Sequence, residues 1–344
     1  MALKARIEIE TCGRTFASGL LLDVVAALRE TSRGDLVAIV GDDPAVERDL
    51  ETWSRLTRNP IVGVTSEGGR TRWVFRHGDP PGEEDAGRPL GERLWLYTNF
   101  DCNLRCDYCC VRSSPTSPRR ELGLELVRRI VAEARPLGLK QLFVTGGEPF
   151  LLPDIAPILG SCTEAAPTTV LTNGMLFRGG RLEVLRALPR ERLTLQISLD
   201  SPSPELHDRH RGSGSWERAW SGVETARREG FRVRLAATVS TDEEAERFAE
   251  FLDRNAFAPD DRVIRRIALR GFAEDGVALS RADLVPEMTV TAGGVYWHPV
   301  GADDNDFLVT RDLLPLAAAL EAVRAAVEHE RAHATRVASV FHCA

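Results

Sequence analysis

The chain has 344 residues with 43% hydrophobic content, enough for two domains or for one large domain with an appendage. Its net charge is −7, with 44 basic and 51 acidic residues, which argues against a nucleic-acid binder because a basic excess or stripe is missing. No apolar run of 18 or more residues exists, and Glu8 and Glu10 interrupt the N-terminus where a signal peptide needs an apolar core, so a cytoplasmic protein with no membrane partner is expected. In chain order, residues 1–77 read as a small α/β unit. A strand begins at Ile7 and a helix covers 20–29. A buried strand follows at 36–40, then a second helix at 44–55 capped by Asp42 or Asp43, with Pro44 in its first turn. Strands at 61–64 and 72–76 complete the unit. Residues 78–92 are rich in Pro, Gly and acid, lack periodicity and read as a linker.

From residue 93 strands and helices alternate. Strands are predicted at 93–98, 141–145, 168–172, 193–199, 232–239 and 263–269, and helices at 123–135, 153–165, 181–188, 216–229 and 242–254. Repeated βα units imply a parallel sheet with right-handed crossovers. Six strands fall short of a closed eight-stranded barrel, so the expected fold is α/β, a partial (β/α)6 TIM-like barrel over 93–285 with its site at the strand C-termini. Residues 286–344 form a C-terminal region. It holds a hairpin over 289–297, a helix over 312–328 and a tail ending in Phe341-His342-Cys343-Ala344.

Seven cysteines are present, an odd number, and four lie within nine residues; that pattern suits metal binding better than a disulfide scaffold. Cys102, Cys106 and Cys109 follow the first barrel strand at spacings of four and three. Three thiolates so placed wrap three irons of a cubane and leave the fourth iron open. A zinc site using Cys110 as a fourth ligand would need a cramped tetrahedron from adjacent residues, so Cys110 reads as a small buried thiol. Cys162 falls on the apolar stripe Ile155, Ile158, Leu159 and reads as core.

Cys102-Asn-Leu-Arg-Cys106-Asp-Tyr108-Cys109 resembles the signature of the radical S-adenosylmethionine (radical SAM) superfamily, close to its MoaA-like and peptide-maturase members. The resemblance implies a [4Fe–4S] cluster on Cys102, Cys106 and Cys109, with an aromatic residue, Tyr108, beside it. It further implies that S-adenosylmethionine is bound at the open iron and reductively cleaved to a 5′-deoxyadenosyl radical. Gly146-Gly147-Glu148, at the end of the second barrel strand, matches the family's GGE segment, which implies that Glu148 holds the SAM amino group. Leu171-Thr172-Asn173-Gly174 and Ser198-Leu199-Asp200 end the next two strands and resemble segments lining the SAM site. Ser198 and Asp200 are thereby candidates for the ribose and Asn173 for a polar liner, with strand capping as the other reading.

His207-Asp-Arg-His210-Arg211-Gly-Ser-Gly-Ser215-Trp216 resembles a segment of the same subgroup. Arg211 is expected either to bind a carboxylate or to be structural, and Ser215 to cap the next helix. His207 and His210 lack metal-ligand spacing. Too few cysteines follow Cys110 for the auxiliary clusters of SPASM-type relatives. Cys343 is either a tail thiol or a hydrogen-atom donor folded over the barrel mouth, and Tyr296, Trp297 and His298 are candidate pocket residues.

Residues 1–77 resemble a TusA/SirA-like sulfur carrier through Gly41-Asp42-Asp43-Pro44-Ala45, Arg48-Asp49-Leu50 and Trp53. Phe16 stands where that family has its persulfide cysteine, and Ala17-Ser18-Gly19 replace Pro-x-Pro, so a degenerate α+β sandwich for docking, dimerisation or substrate presentation is expected. Relay through Cys12 is the minority reading. The implied function is hydrogen abstraction from a small-molecule or peptide substrate, ending in epimerisation, dehydrogenation, decarboxylation or rearrangement, with a flavodoxin- or ferredoxin-type reductant. Radical sulfur insertion fed by the N-terminal unit and a non-catalytic iron–sulfur protein are the alternatives.

Overall fold

A computed structural model describes residues 3–32, 34–57, 59–78 and 89–340. Cys343 and most of the expected linker lie outside them. The chain divides into two compact units, Met1–Arg88 and Pro89–Ala344.

The first unit runs β1 (Ile7–Glu10), α1 (Leu20–Arg29), β2 (Leu36–Gly41), α2 (Pro44–Thr57), β3 (Ile61–Glu67) and β4 (Arg70–Arg76). Its sheet order is β1-β2-β4-β3, with β1 parallel to β2 and the other pairs antiparallel. Asp43 accepts a hydrogen bond from the Ala45 N–H at 2.8 Å, so the cap read from Asp42-Asp43-Pro44 forms at α2. The helices close over one face of the sheet through Leu20, Val24, Val46, Leu50 and Trp53, which meet Ile39 and Phe75. Phe16 packs edge-on against Trp53 with ring centroids 6.3 Å apart. Cys12 is exposed, in a left-handed conformation at φ 48°.

The second unit begins with β5 (Arg93–Tyr97) and alternates through α3 (Leu124–Ala134), β6 (Gln141–Thr145), α4 (Ile155–Ala165), β7 (Thr168–Thr172), α5 (Gly180–Ala187) and β8 (Leu193–Ser198). After β8 come α6 (Pro204–Arg211), α7 (Ser215–Arg228), β9 (Arg232–Val239), α8 (Asp242–Arg254) and β10 (Arg262–Arg266). These six strands are parallel neighbours in chain order. The periodicity that predicts α3 is the face it buries: Val127, Ile130, Val131 and Ala134 all lie in the core. Cys162 is wholly buried on α4, as its stripe requires, and burial pushes its thiol up to about 12.

The C-terminal region differs from expectation in two ways. The strands β11 (Thr289–Thr291) and β12 (Gly294–Tyr296) pair antiparallel as the expected hairpin, but with β13 (Leu308–Thr310) they are not separate from the main sheet. They extend the main sheet beyond β5, β11 parallel to it and the next two antiparallel, giving nine strands ordered β10-β9-β8-β7-β6-β5-β11-β12-β13. The sheet is mixed, with β10 and β13 as its edges, so no closed barrel forms among the described residues. The last helix, α9, spans Leu316–Val340 rather than 312–328. Pro315, which lacks a backbone donor, stands immediately before it, and Leu316, Leu320, Val323 and Val327 enter the core.

Candidate active site

The C-terminal ends of β5 to β8 converge on one loop, residues 98–114. Thr98 and Asn99 leave β5 fully buried. The Asn99 side-chain amide donates to the Asp101 carbonyl at 3.0 Å, the Asp101 carboxylate at 3.1 Å and the Glu148 carbonyl at 3.0 Å, welding the start of the cysteine loop to the end of β6. Gly146 and Gly147 sit against this segment so closely that a Cβ on the first would collide with Asn99 and one on the second with the Asp101 carbonyl. Both glycines therefore allow the close approach of the chain's own backbone.

Glu148 is fully buried, and its carboxylate accepts three hydrogen bonds: from the Phe150 N–H at 3.0 Å, the Thr172 hydroxyl at 2.8 Å and the Asn173 N–H at 2.8 Å. Burial pushes the carboxyl up to about 6, and those three donors oppose the rise. Asn173 extends the same network, its side-chain amide donating to the Asn103 side chain at 2.8 Å and so tying β7 to the cysteine loop. Ser198 is half-buried at the end of β8, and its hydroxyl carries no hydrogen bond among the described residues.

Asp200 and Arg211 are committed to each other. The Arg211 guanidinium grips the Asp200 carboxylate through Nε at 2.5 Å and through a second nitrogen at 3.1 Å, with side-chain exposures of 9% and 1%. The Tyr108 hydroxyl donates to the same carboxylate, and so does the Thr238 N–H at 3.1 Å. Burial works to raise the Asp200 carboxyl, but the Arg211 charge and these donors hold it below the ordinary carboxylate range. The Asp200 carboxylate thus has both oxygens engaged twice, while Arg211 keeps its other terminal N–H groups. The pair's visible effect is to anchor Tyr108, and with it the cysteine loop. His207 accepts the Asp200 backbone N–H at 3.1 Å, and burial, followed by the nearby Arg211, holds its ring down to about 4. Asp208, not Ser215, closes the start of α7. Its carboxylate accepts from the Gly214 and Trp216 N–H groups at 2.6 and 2.8 Å, because Ser215 is already the first helical residue.

Cys102, Cys106 and Cys109 all lie on this loop, yet among the described residues no three His, Cys, Asp or Glu side chains are drawn together as a metal centre. Burial raises the Cys102 thiol well above the thiol range and the Cys106 thiol to about 11, the latter eased by Arg211. These groups are neutral thiols here, and iron would have to displace their protons to gather them. The surroundings fit a cluster. The Leu104 N–H points at the Cys102 sulfur at 3.4 Å and the Ser113 N–H at the Cys109 sulfur at 3.3 Å, as donors do toward iron-bound thiolates. The Ser113 hydroxyl, 3% exposed, has no partner among the described residues. Gly271, at φ +66°, presses on the Cys109 and Cys110 carbonyls, where any side chain would collide.

Tyr296 and Trp297, candidate pocket residues from sequence, belong to the hydrophobic core at 6% and 2% exposure. The short C-terminal strands carry them into the sheet. His298 is half-buried and accepts the Val300 N–H at 3.1 Å, and burial lowers its ring to about 4. Asn99 and Asn103 escaped the sequence reading. The signal was their position beside Cys102, where a short amide can bridge backbone groups of neighbouring loops.

A cysteine loop lies at the mouth of an open βα sheet, braced by a buried glutamate. Residues 96–254 match the family model described as Radical SAM superfamily, so the chain carries a catalytic domain of that superfamily. It is 36% identical over 141 residues to an AdoMet-dependent heme synthase from Methanosarcina barkeri, covering 40% of each chain. It is 34% identical over 144 residues to a GTP 3′,8-cyclase from Microcystis aeruginosa, covering 38% of this chain and 42% of that one. It is 34% identical over 153 residues to the antilisterial bacteriocin subtilosin biosynthesis protein AlbA of Bacillus subtilis, covering 42% of this chain and 33% of that one. The chain thus spans about two fifths or less of the length of these relatives. The fold is similar to that of native anSMEcpe with bound AdoMet, with a TM-score of 0.51, 14% identity, and coverage of 67% of this chain and 80% of that one. No helix among the described residues is long and apolar enough to cross a membrane.

Proposed function

We propose that this chain reductively cleaves S-adenosylmethionine and uses the resulting 5′-deoxyadenosyl radical to abstract a hydrogen atom from a small-molecule or peptide substrate in biosynthesis. One observation carries the reading: the buried Glu148 carboxylate, Asn173, Ser198 and the cysteine loop all stand at consecutive strand ends of the matched domain, where such folds place their chemistry. Cys102, Cys106 and Cys109 would hold a [4Fe–4S] cluster, which supplies the electron for SAM cleavage. Glu148 is the acceptor for the SAM ammonium and Asn173 orients it, while the free hydroxyl of Ser198 faces the nucleoside. Tyr108, through Asp200 and Arg211, fixes the loop. The heme synthase, cyclase and bacteriocin relatives support a biosynthetic context, reached through a reductant of the flavodoxin or ferredoxin type.

The N-terminal βαβαββ unit supports a degenerate TusA-like carrier kept for docking or dimerisation. Its would-be thiol position is Phe16, packed against Trp53, which favours docking over sulfur relay. Cys343 is kept as a candidate hydrogen donor, tested by comparing product identity after Cys343→Ala.

Protein reconstituted anaerobically with iron and sulfide should release 5′-deoxyadenosine when given SAM and dithionite, and Cys106→Ala should release none. A well-loaded cluster that leaves SAM intact, even with cell extract as a source of substrate, would sink the proposal. A subtler outcome concerns Ser113. In Ser113→Ala the iron content should stay constant and the cluster midpoint potential, followed by EPR titration, should move negative, because the Ser113 hydroxyl, without a partner among the described residues, is a donor free to turn toward cluster sulfur, and such a donor favours the reduced state. An unchanged potential would remove Ser113 from the cluster's surroundings.

A further inference from the structure

Beside the cysteine loop a depression of about 420 Å³ opens between Asn103–Asp107 and the α6–α7 turn. Three exposed guanidiniums ring it: Arg105 from the loop, Arg209 from the end of α6 and Arg218 from α7. Among the described residues none of the three has a carboxylate partner, and Arg105 lies only over the Phe272 ring, 4.5 Å from its centroid. Some exposed arginines elsewhere in the same unit find partners, as Arg186 does in Glu183 and Glu229, while others, such as Arg129 and Arg228, have none among the described residues; what marks these three is their grouping around one depression at the cysteine loop. The charged groups on the floor are already satisfied. Arg211 is neutralised by Asp200, and Asp107, the single carboxylate lining the depression, pairs with His210 at 3.0 Å. A small anion would therefore meet no uncompensated buried charge, only a rim of solvated cations.

A cationic rim on a chain of net charge −7 is a local reversal of sign. Such rims steer partners and orient encounters more than they hold ligands tightly, and redox encounters use small, charged surfaces of this kind. Asn103, Leu104 and Arg105, between Cys102 and Cys106, form one wall of the depression, so a molecule seated there touches the cysteine loop. We infer that this rim docks the acidic face of an electron-carrier protein. This inference rests on the radical SAM reading above. In the step it serves, the carrier is oxidised by one electron and the cluster reduced by one, with no bond or proton changing hands.

The experiment measures binding of oxidised flavodoxin, as an acidic probe, by its flavin fluorescence anisotropy, with and without a reconstituted cluster. The wild type should bind at low salt and weaken at high salt. The variant Arg105→Glu/Arg209→Glu/Arg218→Glu should lose about tenfold or more in affinity and most of the salt dependence. Reduction of the reconstituted cluster by flavodoxin should slow in parallel, while reduction by methyl viologen radical, a small cation, should not. Equal flavodoxin affinity in both proteins overturns the inference, as does displacement of the probe by millimolar-range phosphate, which would mark a small-anion site. Charge-dependent binding without SAM cleavage would sink the radical reading alone, and SAM cleavage with charge-indifferent binding the docking alone.

Discussion

Glu148→Gln is expected to weaken SAM binding by roughly 10- to 150-fold, corresponding to the 1.5–3 kcal/mol typical of a hydrogen bond to a charged group. The carboxylate accepts from Phe150, Thr172 and Asn173, and a glutamine would turn an amide N–H₂ against at least one of those donors. A second cost of about 1–3 kcal/mol in stability follows from the buried donor left without its acceptor. Equilibrium dialysis with labelled SAM and urea unfolding separate the two. The wild-type pH dependence has a stated sign. The folded carboxyl titrates at about 6, above its ordinary 4.5, so its contribution to stability is present below 4.5 and is lost as pH rises through 6. SAM binding runs the other way, because the ammonium needs the ionised form. Affinity should grow as pH rises through about 6 in the wild type and stay flat in Glu148→Gln. A pH-independent wild type would remove Glu148 from the amine site.

The second large effect is expected at Arg211. Arg211→Met strands the Asp200 carboxylate, 1% exposed, without its counter-charge, and the cost of breaking a buried pair in this way is about 3–5 kcal/mol. The double variant Asp200→Asn/Arg211→Met should recover most of it, since removing both charges also removes their desolvation. Urea unfolding of the wild type, both single variants and the double variant gives the coupling directly. Additive losses would mean that the pair acts through separate partners. The single variant should also load iron poorly, because the Asp200 carboxylate that holds Tyr108 and its loop loses the guanidinium that clamps it.

Much of this site is legible in the sequence because its pieces are local. The cysteine spacing, the Gly-Gly-Glu turn and the strand ends each occupy a few consecutive residues, and periodicity places all of them at the same end of the sheet. What sequence reading misses is mostly non-local. Asp200 and Arg211 each look like ligand-binding residues on their own, and only the fold shows that α6 brings them together. The packing of Gly146 and Gly147 against Asn99 and Asp101 shows only in the fold. The strands β11 and β12 are legible as a hairpin, but their joining β5 and the burial of Tyr296 and Trp297 follow from tertiary pairing alone. Ser215 is the plausible cap by residue type, but Asp208, seven residues earlier, has the longer reach.

Among the described residues, contacts that involve no iron tether the cysteine loop, including Cys102 N–H to the Ser114 carbonyl, Asn103 to Asn173, Asp107 to His210, and Tyr108 to Asp200. Its backbone is therefore held by the fold before any metal arrives, while the three thiols still have to be drawn together. Loading then gathers three side chains rather than folding a finger, and part of the entropy of arranging the ligands is already absorbed by the rest of the domain. A cluster destroyed by air can on this account be rebuilt in place, from iron and sulfide alone, without the chain passing through an unfolded state.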